Sequence, residues 1–293
     1  MAKADISLLA QEDLQRLDEH YSTKLWLLHL MLPIPGRLGK VLSALLIMAV
    51  VWVVLEALGG ILVFYEQVFF STLVGYSIAI FARIVEQSEK AVDDLQRLTG
   101  APDTVAAPLR RAMSRHSRQE LIYTIFCALF FGTLHTLLIR TLDGDSLENI
   151  VFNSELYVTH LGTILAWLVM TSVISALVTN AVIWSRLGRH LQIDLLRPAA
   201  ACIMGRVAVL STLAIMGAQV LFVFLILEHG WDWASVFPGL AASFLPTLAL
   251  FFIPVWPLHK RLETAREEAL FKLDRSIGEL GRLEQVDLKD AAT

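Results

Sequence analysis

Apolar residues in this chain are gathered into long runs that short polar stretches separate. Six runs have the length that a helix needs to cross a bilayer, about 20 residues at about 1.5 Å each. The predicted spans are residues 41–64, 68–85, 121–141, 160–184, 207–227 and 237–256. The predicted fold class is therefore all-α: a polytopic membrane helical bundle with about six transmembrane helices and additional cytoplasmic amphipathic helices.

The fourth run, residues 160–184, differs from the others because it carries a polar stripe. The members of the stripe lie three or four residues apart and are His160, Thr163, Trp167, Thr171, Ser175 and Thr179. Residues at these spacings share one face of a helix, and a lipid-facing helix has no reason to keep such a face polar. Close packing against other helices is the simpler explanation, and a hydrated path is the alternative.

Amphipathic segments flank the predicted transmembrane domain, residues 41–257. Residues 1–40 are predicted to form a surface helix and a Leu-rich helix. The Leu-rich helix lies either in the inner interface or against cytoplasmic helices of the same protein. Residues 86–119 should extend span two into a cytoplasmic helical loop, and residues 186–206 should form an inner elbow.

The C-terminal segment, residues 258–293, is predicted to be a cytoplasmic helix with one apolar face. That face consists of Leu258, Leu262, Ala265, Ala269, Leu273, Ile277 and Leu280. An apolar stripe on a charged helix requires a partner, as in a coiled coil. The partner is expected to be the extension of span two, or the same helix of a neighbouring subunit.

The composition supports a membrane location, and the charge distribution predicts an orientation. The chain has 293 residues, of which 56% are hydrophobic, and its mean hydropathy is +0.60. Of the 24 Lys and Arg residues, all except Arg140 lie on the side of the chain termini. The positive-inside rule therefore predicts a cell inner (plasma) membrane protein with both termini cytoplasmic. The sequence shows no cleavable signal peptide, and its two cysteines are not expected to form a disulfide.

Motifs that carry chemistry are not apparent in the sequence. Gly39 and Lys40 lack the glycine spacing and the Ser or Thr of a phosphate-binding loop, and no His or Cys spacing matches a metal site. We therefore expect no enzymatic activity, catalytic residue, cofactor or metal, and no nucleic-acid partner.

Two ionisable residues are predicted to lie at membrane depth, where such residues are often functional. Glu56 should lie about 13 Å below the outer end of span one, and His135 should lie at a similar depth in span three. They are candidate partners in an ion path that also includes His160, Thr171, Ser175 and Thr179. The simpler alternative is a single hydrogen bond that joins two helices.

A basic cluster precedes span three and contains Arg110, Arg111, Arg115 and Arg118. Such a cluster at a membrane edge can bind anionic lipid headgroups. The alternative is a topology signal that has no lipid preference.

These observations predict a homo-oligomeric, channel-like protein that passes small ions. Cations are favoured because acidic residues crowd the predicted outer turns. One alternative is a non-catalytic membrane scaffold or signalling subunit that binds a cytoplasmic protein partner. Another is a secondary transporter. The lipid bilayer is a partner in each case.

Overall fold

The computed structural model describes residues 23–32, 34, 36–57, 64–142, 154–190, 199–229 and 233–290. Its α-helices are α1 Gly36–Ala57, α2 Phe64–Thr99, α3 Asp103–Met113, α4 Arg118–Leu142, α5 Ser154–His190, α6 Ala199–Val220, α7 Val223–His229 and α8 Trp233–Asp290. Six helical stretches are long and apolar enough to cross a membrane, with α6 and α7 together forming one of them. The all-α bundle predicted from the sequence is confirmed.

Successive membrane-length helices alternate in direction, so the helix ends gather at two opposite ends of the bundle. We call them the acidic end and the basic end, after the charged residues that predominate near each in the sequence. At the acidic end, α1, α4 and α7 finish and α2, α5 and α8 begin. At the basic end, α4 and α6 begin, and α2, α5 and α8 extend beyond their apolar sections.

Helix α2 is the centre of the bundle. In the most apolar section of α2, 61% of the residues are buried, whereas in that of α1 only 17% are. Helix α2 contacts α1, α5, α6 and α7. Small residues allow close approach between helices. A Cβ added to Gly75 would lie 2.8 Å from the Ala44 carbonyl oxygen of α1, and one added to Gly132 of α4 would lie 3.0 Å from the Ile164 Cα of α5.

The basic end has its own apolar core beyond the membrane-length part of the bundle. Helix α2 ends at Thr99, where Gly100 adopts a positive φ of 68° and Pro102 follows, so that α3 can fold back against it. Trp184 of α5, Met113 of α3 and Met204 of α6 are buried together there. The predicted helical extension of span two is thus present, and its Val92 and Leu95 are buried in one core with residues of α3.

The segment before α1 is packed inside the protein. Thr23–Lys24 pairs antiparallel with Arg115–His116, and Trp26–Leu30 forms a short 3-10 helix. Leu25 and Leu27 are buried in the same core as residues of α2. Of the two predicted placements, packing against the same protein therefore describes this segment. Residues 1–22 lie outside the described residues.

The last predicted span and the C-terminal segment form one helix, α8, which runs through four prolines without interruption. At about 1.5 Å per residue its 58 residues extend about 87 Å. Leu258 and Leu262 pack against the basic-end core, whereas Leu270, Leu273 and Ile277 are exposed. The predicted boundary at residue 258 is therefore not a break in the helix.

The predicted inner elbow, residues 186–206, is also largely helical. Helix α5 continues to His190 and α6 begins at Ala199. Residues 191–198, which contain Pro198, lie outside the described residues.

Candidate functional site

A cavity of about 580 Å³ lies between α2, α4, α5 and α8, and the end of α6 and α7 contribute to its wall. We call it the bundle cavity. Its lining extends along α5 from Thr163 to Ile174, or about 16 Å at about 1.5 Å per residue. Glu66, in the first turn of α2, lies on its lining at the acidic end, and Cys127 of α4 lies closer to the basic end. The volume is in the range of small-molecule sites.

Aromatic side chains form much of the wall of the bundle cavity. Phe131 stacks on Trp167, with ring centroids 5.5 Å apart and an angle of 23° between the rings. On the other side, Phe69 contacts Phe70 at 5.2 Å and Phe222 at 5.1 Å. One contact links α4 to α5 and another links α2 to the turn between α6 and α7, so the aromatic wall is built by segments that are distant in sequence.

His135 and Trp167 form the main polar contact inside the bundle cavity. The Trp167 Nε1–H donates a hydrogen bond of 3.1 Å to Nδ1 of His135. Because Nδ1 accepts this bond, the ring in this arrangement is neutral and carries its proton on Nε2. The contact explains why Trp167 belongs to the polar stripe predicted in span four: its indole N–H is paired inside the bundle.

Hydroxyl groups on the lining are largely engaged with their own helices. Thr136 donates to the Gly132 carbonyl, and Ser243 donates to the carbonyls of Gly239 and Leu240. Such bonds satisfy a hydroxyl without water. They leave the cavity apolar in character, with its polar groups at a few positions.

Gln219 was missed by the sequence reasoning and joins α6 to α8. Its Nε2 donates to Ser243 Oγ at 3.0 Å and contacts Thr247 Oγ1 at 3.4 Å. The signal was available, because an amide in the middle of the apolar run at residues 207–227 requires a hydrogen-bonding partner inside the bundle.

The structure gives Glu56 and His135 different partners. Glu56 is the second-last residue of α1, is exposed, and accepts a hydrogen bond of 2.7 Å from Gln67 Nε2 of α2. The predicted span continues eight residues beyond Glu56, and residues 58–63 of it lie outside the described residues. The alternative prediction, a hydrogen bond that joins two helices, therefore describes Glu56.

The polar stripe of span four is divided between two cavities. Thr163, Trp167 and Thr171 line the bundle cavity, whereas Ser175 and Thr179 line a second space of about 20 Å³ nearer the basic end. The two cavities share no lining residue. His160 is half-buried and lies on neither lining.

Glu120 lies on the lining of the second space and links α4 to α5. Its carboxylate accepts hydrogen bonds from the Thr179 hydroxyl at 3.1 Å and from the Ser117 N–H at 2.9 Å. Ser117 Oγ in turn accepts the Glu120 N–H at 3.0 Å, which completes a capping box at the start of α4. The sequence reasoning missed Glu120, although Ser-x-x-Glu before an apolar run is the signature of this box.

The four basic residues of the predicted cluster, the last of which, Arg118, begins α4, do not share one arrangement. Arg110 pairs with Asp93 at 3.4 Å and also with Asp103. Arg115 is half-buried on the lining of the second space, while Arg111 and Arg118 are exposed. Headgroup binding by all four at once would therefore require Arg110 to leave two carboxylates.

Among the residues that the structure describes, no group of three or more His, Cys, Asp or Glu side chains is placed to hold a metal ion. Cys127 and Cys202 are both free thiols. Cys202 is exposed near the start of α6, at the opposite end from the mouth of the bundle cavity.

Among the residues that the structure describes, six helical stretches are long and apolar enough to cross a membrane, which defines this chain as a multi-pass α-helical membrane protein. A comparison with protein-family models, with curated proteins and with solved structures finds no match.

Proposed function

We propose that the protein is a membrane transport protein that binds a small amphiphilic molecule in the bundle cavity. The observation that carries the proposal is the cavity itself: about 580 Å³ of space inside a bundle that is otherwise closely packed. Helix bundles place their ligand sites between helices in this way. Apolar walls with a few polar groups suit a ligand that is mainly apolar with one polar part.

The end of the cavity within the bundle supports transport rather than free conduction. The lining begins at the acidic end and stops near the middle of α5, at Ile174. Towards the basic end, Val173 and Leu177 are buried against α2, and Glu120 bridges to Thr179. A ligand site that is closed towards one side fits one state of a protein that works by alternating access.

The passage of small ions, which the sequence favours, has less support from these contacts and stays a prediction. A path for small ions needs polar groups that replace water along its length. The candidate ion-path residues occupy separate positions: Glu56 contacts Gln67, His135 and Thr171 line the bundle cavity, and Ser175 and Thr179 line the second space.

A scaffold role is the second candidate, and the exposed part of α8 favours it. Leu270, Leu273 and Ile277 lie on a helix that extends beyond the bundle. Exposed apolar positions on such a helix are typical of surfaces that bind another helix. In this version the partner is a second copy of the chain or a cytoplasmic protein, and both termini are cytoplasmic as the charge distribution predicts.

Thiol labelling tests the access to the bundle cavity. In sealed vesicles that contain the Cys202→Ala variant, a membrane-impermeant thiol reagent should label Cys127 from the side of the acidic end. The Cys127→Ala variant, which keeps exposed Cys202, reports the opposite side. Equal labelling of Cys127 from both sides, or none from either, would contradict one-sided access.

Dye movement tests transport itself. Vesicles are loaded with rhodamine 123 or with carboxyfluorescein, a cationic and an anionic aromatic dye. At least one should leave faster with the wild type than with Ala242→Phe, which fills the cavity wall on α8. Ala269→Phe, the same substitution at an exposed position of the same helix, should behave as wild type. If neither dye moves faster than through protein-free vesicles, the transport proposal fails.

A further inference from the structure

Resting on the proposed function, we propose that the ligand of the bundle cavity is a lipophilic organic cation. The ligand would be an aromatic or alkylated onium ion whose charge is delocalised or shielded. The geometry points to this class because aromatic faces and one carboxylate line the same space.

The charge of the lining favours a cationic ligand over an anionic one. Glu66 is the acidic residue on the described lining, and no Lys or Arg belongs to the lining that the structure describes. His135 uses Nδ1 to accept the Trp167 N–H, an arrangement in which its ring is uncharged. Because the described lining supplies no Lys or Arg to bind an anion, the burial of an anionic ligand in this apolar cavity would be unfavourable.

The aromatic wall favours an organic cation over a hydrated metal ion. Phe69, Phe70, Phe131, Trp167 and Phe222 surround the space in two groups, one on each side. The face of an aromatic ring carries negative potential and attracts cations, most strongly when the cation has little water to lose. A hydrated metal ion has much water to lose, and the described lining offers few free oxygen atoms, whereas an onium ion also gains from the apolar surface.

The position of Glu66 at one end of the cavity also favours a cationic ligand. It lies in the first turn of α2, at the acidic end, next to Gln67, which binds the Glu56 carboxylate. Negative charge at one end of a low-dielectric cavity raises the local concentration of cations and lowers that of anions.

A pair of ions with the same shape and opposite charge tests the proposal. Tetraphenylphosphonium and tetraphenylborate present the same four phenyl rings. Binding of each ion to the purified protein is measured by equilibrium dialysis in detergent. The binding measured with the Ala242→Phe variant is subtracted, because it represents binding outside the bundle cavity. The wild type should bind the cation at least about tenfold more tightly than the anion.

The carboxylate is tested with a matched pair of substitutions. Glu66→Gln keeps the shape and removes the charge, and should weaken tetraphenylphosphonium binding about tenfold while leaving tetraphenylborate unchanged or stronger. Glu268→Gln, at an exposed site on the extension of α8, should have no effect. Unchanged cation affinity in Glu66→Gln would overturn the role of Glu66.

The comparison of the two ions on the wild-type protein does not depend on whether Glu66→Gln folds. Equal binding of the two ions, or tighter binding of tetraphenylborate, would overturn the cation class and leave the transport proposal standing. Failure of both ions to slow the reaction of Cys127 with N-ethylmaleimide in Cys202→Ala, together with no dye movement, would overturn the transport proposal as well.

Discussion

The hydroxyl of Thr179 donates a hydrogen bond of 3.1 Å to the carboxylate of Glu120, and thereby joins the middle of α5 to the first turn of α4. The two residues are 59 positions apart in the sequence. The contact lies at the basic end of the bundle, below the cavity, and uses a carboxylate that already caps its own helix. A polar residue predicted to line an ion path is thus a link between two helices.

Replacing Thr179 with Val should lower the stability of the protein without changing its fold. The substitution keeps the side-chain volume but removes a hydrogen bond to a carboxylate, which contributes about 1 to 2 kcal/mol. Thermal unfolding in detergent measures the effect. Thr264→Val is the control, because the Thr264 hydroxyl is exposed and bonds to its own helix at Lys260. Equal melting temperatures for the two variants would show that the link contributes nothing.

Gln219→Leu should also destabilise the bundle, by roughly 0.6 to 1.7 kcal/mol, the range measured for hydrogen bonds between membrane helices. The substitution leaves Ser243 and Thr247 of α8 without the amide that contacts them. Thr212→Val on the same helix is the matched control, since its hydroxyl bonds to Ala208 within α6. A Gln219→Leu protein as heat-stable as wild type would contradict the prediction.

Two glycines in apolar helices should respond oppositely to the same substitution. Gly75→Ala places a Cβ 2.8 Å from a backbone oxygen of α1, so the helices must separate, at a cost of roughly 1 to 3 kcal/mol. Gly205→Ala has no atom within 4 Å of the new Cβ and should be neutral or slightly stabilising, because Ala favours helix. Comparing the two melting temperatures in one detergent separates packing from helix propensity.

Glu89 makes the stability of the basic end depend on pH. It lies beyond the apolar run of α2, where burial raises its carboxyl pKa, with repulsion from Asp93 and Glu86 acting in the same direction. A hydrogen bond with Ser114 and the charge of Arg110 oppose the rise in pKa. A raised pKa means that the folded protein disfavours the charged form, so stability is lost as pH rises through the folded-state pKa.

Glu89→Gln should therefore stabilise the protein at neutral pH, and the gain should shrink as pH falls below the folded-state pKa of Glu89. Melting temperatures across a pH series measure the difference. Glu263→Gln, at an exposed position on α8, provides the reference. A difference that grows towards acid pH would have the wrong sign.

The extension of α8 should contribute to association rather than to the stability of the bundle. Deleting residues 265–293 removes the exposed apolar positions but keeps Leu258 and Leu262, which pack against the core. We expect the same melting temperature and a smaller oligomer by native mass measurement. Leu273→Glu with Ile277→Glu should have the same effect through charge on the apolar face. An unchanged mass in both variants would argue against a helix-mediated oligomer.

Hydrophobic run length predicted the class of fold well, because a bilayer leaves few alternatives to membrane-length helices. Run length could not predict that span six and the C-terminal helix are continuous, since prolines such as Pro254 and Pro257 normally mark a stop. Nor could it reveal the bundle cavity. That space is lined by side chains such as Phe69, Phe131 and Phe222 from distant parts of the sequence, and a pattern along one chain carries no information on which helices are neighbours.

For the candidate site, spacing identified the right face of α5 but not its partners. The prediction of a polar stripe was useful because Trp167 and Thr171 do face the interior. Pairing Glu56 with His135 relied on estimated depth alone, and depth gives no information on the partner that Glu56 has in Gln67 of α2. The capping signature at Ser117 and the amide of Gln219 were the local signals that would have improved the prediction.

The continuity of α8 gives the molecule the mechanics of a lever. Ser243 belongs to the wall of the bundle cavity, Leu258 and Leu262 are held in the basic-end core, and Ile277 lies beyond the bundle on the same helix. From the held point the arm to Ser243 is about 22 Å long and the arm to Ile277 about 28 Å. A tilt that moves the cavity wall by 1 Å in one direction would move the outer arm by about 1.3 Å in the other. A change in the occupancy of the bundle cavity would thus shift the exposed part of α8 around Ile277, about 50 Å away.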